Sequence, residues 1–176
     1  MLEFCSSFIK NQCYFGCYPN ENQFKELIEN DFTYFIDLTT PRERNRLPFD
    51  YSLIVPQFTN IVYINFSIID NNIPHSIKSF VNLIDFISTI IEKKKKIYIH
   101  CKGGHGRSPM LVASILCRLY LFCPYMALDL TKNYHESRND LKDKYKGINC
   151  PQLYNQRKFI IDLYQKKKNH SLFRQL

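Results

Sequence analysis

Apolar and polar positions alternate along this chain in two different rhythms. Short β-branched and aromatic runs predict strands at 13–19 ("CYFGCYP"), at 33–38 ("TYFIDL", ending at Asp37), at 61–69 ("IVYINFSII") and at 96–100 ("KIYIH"). Between them, apolar residues recur every three or four positions. Asn20 is placed to cap a helix over 20–31 with Phe24, Leu27 and Ile28 on one face, and Ser76 to cap a longer one carrying Phe80, Leu83, Ile84, Ile87 and Ile91. Pro109, Pro124 and Pro151 each mark an expected helix start, where a missing N–H is tolerated. The last helix turns Phe159, Ile160, Leu163 and Tyr164 inward. The stretch 39–60 is polar and broken by prolines, and "DNNIP" at 70–74 is turn chemistry.

Strands alternating with helices predict an α/β fold. We expect a single-domain three-layer sandwich over residues 1–176, whose central, mostly parallel sheet of four or five strands is flanked by helices. No internal repeat or Gly/Ser linker divides the chain. In sheets of this kind ligands sit beyond the carboxyl ends of the strands, and both Cys101 and Asp70 fall at such ends.

Composition narrows the class. An apolar fraction of 45% and an aromatic fraction of 15% exclude a disordered chain. The longest apolar run, 110–122, is cut by Ser114 and Arg118, so no membrane insertion is expected. With no signal-peptide pattern in the first residues, a soluble cytoplasmic protein is expected. Seven cysteines make an odd count and suggest no disulfide framework; Cys13 and Cys17 lack a second pair at metal-ligand spacing. The net charge of +8 favours anionic partners, although the lysine runs at 93–96 and 166–168 suit solvated helix ends.

The chemistry lies in "HCKGGHGRSP", between a predicted buried strand and a predicted buried helix. A strand, a glycine-rich turn and a helix N-terminus form an anion site, because backbone N–H groups converge there and the helix dipole adds positive potential. Gly103, Gly104 and Gly106 are expected to supply the φ > 0 conformations and close backbone approach of such a nest. Arg107 offers a planar fork for two phosphate oxygens. The same field favours Cys101 as a thiolate nucleophile. Ser108 is expected to donate a hydrogen bond to the sulfur and help it leave, and His100 to hold the loop through its ring nitrogens.

"HCKGGHGRS" resembles the signature of the cysteine-dependent protein tyrosine phosphatase superfamily: His-Cys, five residues, Arg, then Ser or Thr. The similarity is to the compact dual-specificity branch and extends over about residues 12–165. "YINFSIIDNNIP" resembles the segment bearing the family's general acid, which implicates Asp70. "CPQLYNQRKFI" resembles the late glutamine segment that places the hydrolytic water, with Gln152 and Gln156 at its two positions. "FGCYP" and "FKELIENDFTYFIDLT" resemble the opening strand–helix–strand. The chain departs from common forms at Pro109, where glycine often stands, and at His105. Asp37, Asp50 and Asp85 are poorer acids, placed at a strand end with its own turn role, in a loop with no strand behind it, and inside a helix.

The resemblance implies a double displacement. Cys101 attacks phosphorus, Asp70 protonates the leaving oxygen, and Arg107 with the loop amides holds the phosphoryl oxygens. No metal or other cofactor is required. The expected partner is a phosphorylated protein, with phosphotyrosine and possibly phosphoserine or phosphothreonine as substrate. Lys102 and His105 resemble the extra basic loop residues of lipid-directed members, so an anionic lipid is one alternative. RNA 5′-phosphate, suggested by net charge, is another. A non-catalytic phosphate-binding module is disfavoured because Cys101, Arg107 and a candidate acid are all present.

Overall fold

The predicted strands meet in one five-stranded sheet. The structure is a computed structural model that describes residues 2–172, with side chains described through Gln165, so the lysine run at 166–168 lies outside the described side chains. The strands are β1 (Cys5–Ile9), β2 (Cys13–Gly16), β3 (Tyr34–Asp37), β4 (Val62–Asn65) and β5 (Ile97–His100). Their spatial order is β1-β2-β5-β3-β4, with β1 antiparallel to β2 and every other pair parallel. β5 lies in the middle and all four of its residues are buried. Its side chains alternate as a pleat requires: Ile97 and Ile99 join one apolar cluster and Tyr98 the other.

Helices cover both faces. On one side lie α1 (Glu21–Glu29) and the 39–60 connection, which bury Phe24, Leu27, Tyr51 and Val55. On the other side α3 (Ile77–Glu92), α4 (Arg107–Tyr120), α5 (Pro124–Glu136) and α6 (Tyr154–Leu172) enclose the larger cluster. Asn20 caps α1 through a reciprocal pair with Gln23, and the Ser76 hydroxyl accepts from Ser79 N–H to start α3. Phe80, Leu83, Ile84, Ile87 and Ile91 all turn inward, each worth about 1.5–3 kcal/mol of burial. Lysines 93–95 are exposed where α3 stops, as a solvated helix end should be. Among the described residues no helix is long and apolar enough to cross a membrane.

Three expectations need correction. β1 escapes the apolar pattern because Ser6 and Ser7 interrupt it and an irregularity in register falls between Ser7 and Ile9. The strand expected over 61–69 ends at Asn65, because its partner β3 ends at Asp37. Beyond it, Phe66 and Ile68 N–H still reach the carbonyls of Asp37 and Leu38 at 2.8 and 3.1 Å, which keeps the chain alongside without a regular ladder. Of the three prolines only Pro124 opens a helix; α4 begins at Arg107, two residues before Pro109, and α6 begins at Tyr154, three after Pro151. The 39–60 connection also holds a short helix, α2 (Pro41–Arg44), whose capping box joins Thr40 to Glu43.

Candidate active site

β5 delivers Cys101 to the sheet's carboxyl edge, and α4 starts six residues later with Gly106 as its N-cap. The Cys101 thiol is 3% exposed, and its Sγ accepts from Gly104 N–H at 3.3 Å. Negative charge on the sulfur therefore meets a backbone donor. Gly104 has φ +76°, and a Cβ there would lie 2.6 Å from the Gly16 carbonyl carbon, so the loop packs directly on the end of β2. Tyr18 N–H adds a bond to Lys102 O at 3.1 Å. Gly103 and Gly106 do not have positive φ. Their lack of a Cβ instead admits His105, whose Cδ2 would lie 3.1 Å away, and the Gln156 amide, whose Oε1 would lie 2.8 Å away.

Arg107 is 1% exposed, and its donors are aimed by named acceptors. Glu43 takes a bidentate fork, Nη1 to Oε2 and Nη2 to Oε1, both at 2.8 Å. Nη1 also reaches Ile68 O at 2.8 Å, and Nη2 lies 2.8 Å from Asp70 Oδ1. Burial alone would raise the Glu43 carboxyl pKa. The Arg107 hydrogen bond and charge, with the Thr40 hydrogen bonds, overcome it, and the net shift is downward. The sequence pattern alone does not single out Glu43. The Thr-x-x-Glu spacing signals a helix cap, but nothing local says that the capping carboxylate faces Arg107.

Asp70 sits on the turn after β4 with its side chain 56% exposed. α6 fastens that turn: Asn155 Nδ2 donates to Asn71 O at 3.2 Å, and Gln156 Nε2 to Asn72 O at 3.1 Å. Gln156 is thereby committed and buried, and its Oε1 has no hydrogen-bond partner among the described residues. Gln152 is exposed, and its N–H bonds His105 O at 2.9 Å. His105 stacks on Tyr145 with ring centroids 3.6 Å apart. Burial, then the charges of Arg138, Lys144 and Lys142, push its pKa down to about 4, so the ring is neutral at pH 7.

One cleft of about 360 Å³ gathers Cys101, Arg107 and Asp70 with Lys102, Gly103, His105, Gly106, Gln152 and Gln156. Asn71, Tyr145 and Leu153 complete its lining. One expected role differs. The Ser108 hydroxyl, in the first turn of α4, donates to Gly16 O at 3.3 Å instead of to the sulfur, because α4 directs it at the end of β2. The His100 ring hydrogen-bonds the Tyr51 hydroxyl through Nε2 and packs against Tyr98, which fastens β5 to the α1-side layer, and it also interacts with the Cys101 backbone at the start of the loop. Burial lowers the His100 pKa despite the nearby Asp37, and it stays neutral. Asp37 is itself structural, accepting from Thr39 N–H at 2.7 Å and from the Tyr63 hydroxyl at 2.7 Å.

A buried thiol in a glycine-rich turn, an arginine oriented by Glu43 and the Asp70 carboxylate beside it share one cleft, the arrangement the sequence resemblance implied. The chain matches the family described as "Dual specificity phosphatase, catalytic domain" over residues 13–140, and it belongs to that family. It is 32% identical over 139 residues to the "Putative tyrosine phosphatase 067L" of Invertebrate iridescent virus 3, covering 77% of this chain and 55% of that protein. With the "Putative tyrosine phosphatase 197R" of Invertebrate iridescent virus 6 it shares 36% over 124 residues, 69% of this chain and 44% of the other. The chain thus spans about half the length of the curated relatives it matches. Among solved structures, Tk-PTP in its active form superposes with a TM-score of 0.75 at 18% identity, covering 94% of this chain and 99% of that one. PTPMT1 in complex with PI(5)P gives 0.69 at 15%, covering 92% and 96%. At such identities these two likenesses speak to the fold.

Proposed function

We propose that the protein hydrolyses phosphotyrosine, and also phosphoserine or phosphothreonine, on a protein substrate through a cysteinyl-phosphate. The observation that carries this reading is the meeting of Cys101, Arg107 and Asp70 in one cleft, with Arg107 locked by Glu43. In the first step the Cys101 sulfur forms a bond to phosphorus while the P–O ester bond breaks, and the Asp70 proton goes to the departing oxygen. In the second, water adds to phosphorus, gives its proton to Asp70, and the S–P bond breaks to return the thiolate. The Gly104 N–H, already on Sγ, is the donor that stabilises the departing sulfur. Of the two glutamines, Gln152 has the free side chain at the cleft and is the better placed to orient that water.

A protein substrate is favoured over a polyphosphorylated lipid by the charge of the loop. Lys102 is its exposed cation, whereas His105 is neutral and tied to other rings. Leu153 gives a phosphotyrosine ring an apolar wall, while Tyr145 is stacked on His105 with the Lys144 ammonium over its ring. The test is phosphate release from phosphotyrosine and phosphothreonine peptides, phosphoinositides and 5′-triphosphorylated RNA, with Cys101→Ser as the blank. Preference for the peptides supports the reading. A roughly hundredfold preference for lipid or RNA, about 2.7 kcal/mol in transition-state binding, overturns the substrate class.

A further inference from the structure

His135 has no place in the mechanism above. It lies on α5, thirty residues from the signature loop, and is 1% exposed. Its Nε2 stands 2.8 Å from Nδ1 of His105, a hydrogen bond in which one ring must donate and the other accept. The rings cross nearly at right angles, 81°, while the same His105 ring lies flat on Tyr145. His105 is therefore held from two sides.

The proton positions follow from the unpaired atom. His135 Nδ1 is buried with no hydrogen-bond partner among the described residues. If His105 donated, the His135 proton would have to sit on that Nδ1 as an orphaned buried N–H, the rarer and costlier defect. If His135 donates from Nε2, only a bare lone pair is buried, and the cation of Arg138 nearby favours a lone pair over an N–H. The second arrangement places the His105 proton on Nε2. The Cδ2–Nε2 edge of that ring lies beside Gly103, and both residues line the cleft that holds Cys101 as well as a neighbouring one bounded by Cys17 and Arg138.

We propose that His135 is a positioning residue for substrate recognition: it fixes the ring and tautomer of His105 so that the signature loop presents a neutral Nε2–H at the rim of the cleft, where it donates to an oxygen of the bound phosphopeptide outside the phosphoryl group. This rests on the protein-phosphatase reading given above. Both rings stay neutral at pH 7. Burial and then Arg138 press His135 down to about 3, in surroundings that also hold Lys142, Lys144, Tyr145 and Cys150. A cation is thus excluded from a position where a lysine or arginine would give charge-driven, less selective binding.

The experiment pairs a spectroscopic and a kinetic readout. A long-range ¹H–¹⁵N spectrum of the histidine-labelled full chain reports tautomers directly, and His105 is expected with its proton on Nε2. Kinetically, His135→Met removes the donor while filling the space, whereas the amide N–H of His135→Gln can stand where Nε2–H stood. For a phosphotyrosine peptide, His135→Met should raise KM about three- to tenfold, as for one lost neutral hydrogen bond, with kcat within about twofold. His135→Gln should recover most of that loss. Turnover of p-nitrophenyl phosphate, which has no peptide to reach the rim, should stay within about twofold in both. In a His105→Ala background the His135→Met change should add nothing. An Nδ1–H tautomer for His105 in the parent protein overturns the proposal, and so does an equal loss on p-nitrophenyl phosphate and peptide. If His135→Met fails to fold, the parent spectrum and His135→Gln decide. If no phosphopeptide is turned over at all, the substrate reading fails, while the spectrum still judges the His105–His135 tautomer.

Discussion

Glu43→Gln separates an arginine that is merely buried from one that is aimed. Arg107 is 1% exposed and Glu43 holds it by two bonds of 2.8 Å, so the change removes the formal charge and one arm of the fork while keeping side-chain length. Removing one partner of a fully buried pair costs about 3–5 kcal/mol. Here the Glu43 side chain is 15% exposed, glutamine keeps one acceptor, and Ile68 O still holds Nη1. The expected loss is therefore about 1–3 kcal/mol, or about 3–8 °C in Tm for a chain of this size. The kinetic effect should be larger in proportion. The Arg107 edge that faces phosphate is set by the fork behind it, and a shift of about 1 Å at such a group costs on the order of a hundredfold. Hydrolysis of p-nitrophenyl phosphate should fall about 30- to 100-fold in kcat/KM. Thr40→Ala is the control. It removes the Thr40 hydroxyl, which accepts from Glu43 N–H at 3.3 Å and donates to Glu43 Oε2 at 3.0 Å, a loss of about 1 kcal/mol, yet leaves the Thr40 N–H on Oε2 and both arms of the fork, so activity should stay within about threefold. Wild-type kcat/KM in Glu43→Gln would refute the reasoning, as would an equal activity loss in Thr40→Ala.

Asp70 Oδ1 occupies the Arg107 Nη2 donor at 2.8 Å, a donor that a bound phosphate would take over. Asp70→Asn should therefore lower kcat about 100-fold or more through loss of the acid, yet let inorganic phosphate inhibit more tightly. A weaker phosphate inhibition constant would refute the competition. Thermal stability should also depend on pH. His105 and His135 are pressed from 6.5 to about 4 and about 3, so below pH 6.5 the unfolded chain binds protons that the folded one refuses. Stability is thus full above about pH 6.5 and falls as pH drops toward 4. Glu43, with its pKa lowered from 4.5, adds a further loss only below about pH 4.5. Tm at pH 5 should lie below Tm at pH 7, with a shallower slope in His135→Gln; a Tm that rises on acidification would count against the argument.

What the sequence made legible was what is local. β5, the signature loop and α4 are contiguous, so residues 97–109 already contain the proposed nucleophile Cys101, the glycine turn and Arg107 in chain order. Asp70 was legible as a turn acid after a strand. What it faces was not, because that depends on Asn155 and Gln156 fastening its turn from 84 residues away. Of the two properties expected of the loop glycines, positive φ is found at Gly104 and not at Gly103 or Gly106, where the constraint is the close approach of the His105 and Gln156 side chains.

Glu43 shows the limit most clearly. A period of 2 or 3.6 tells which face of an element is buried, and a Thr-x-x-Glu box tells where a helix starts; neither tells which two faces will meet. The same Oε2 accepts from Thr40 N–H at 3.0 Å and from Arg107 Nη1 at 2.8 Å, so the cap of α2 and the clamp on the arginine are one carboxylate. The 39–60 stretch, which pattern alone presents as a proline-broken connection, must fold its short helix correctly for Arg107 to point at phosphate. Tyr51, from the same stretch, bonds His100 at the end of β5 and so ties that connection to the strand that carries the nucleophile. The orientation of Arg107 therefore depends on a segment outside the signature loop, and a change that breaks the Glu43 fork should act on turnover more than on the fold, whereas one that spares the fork should not.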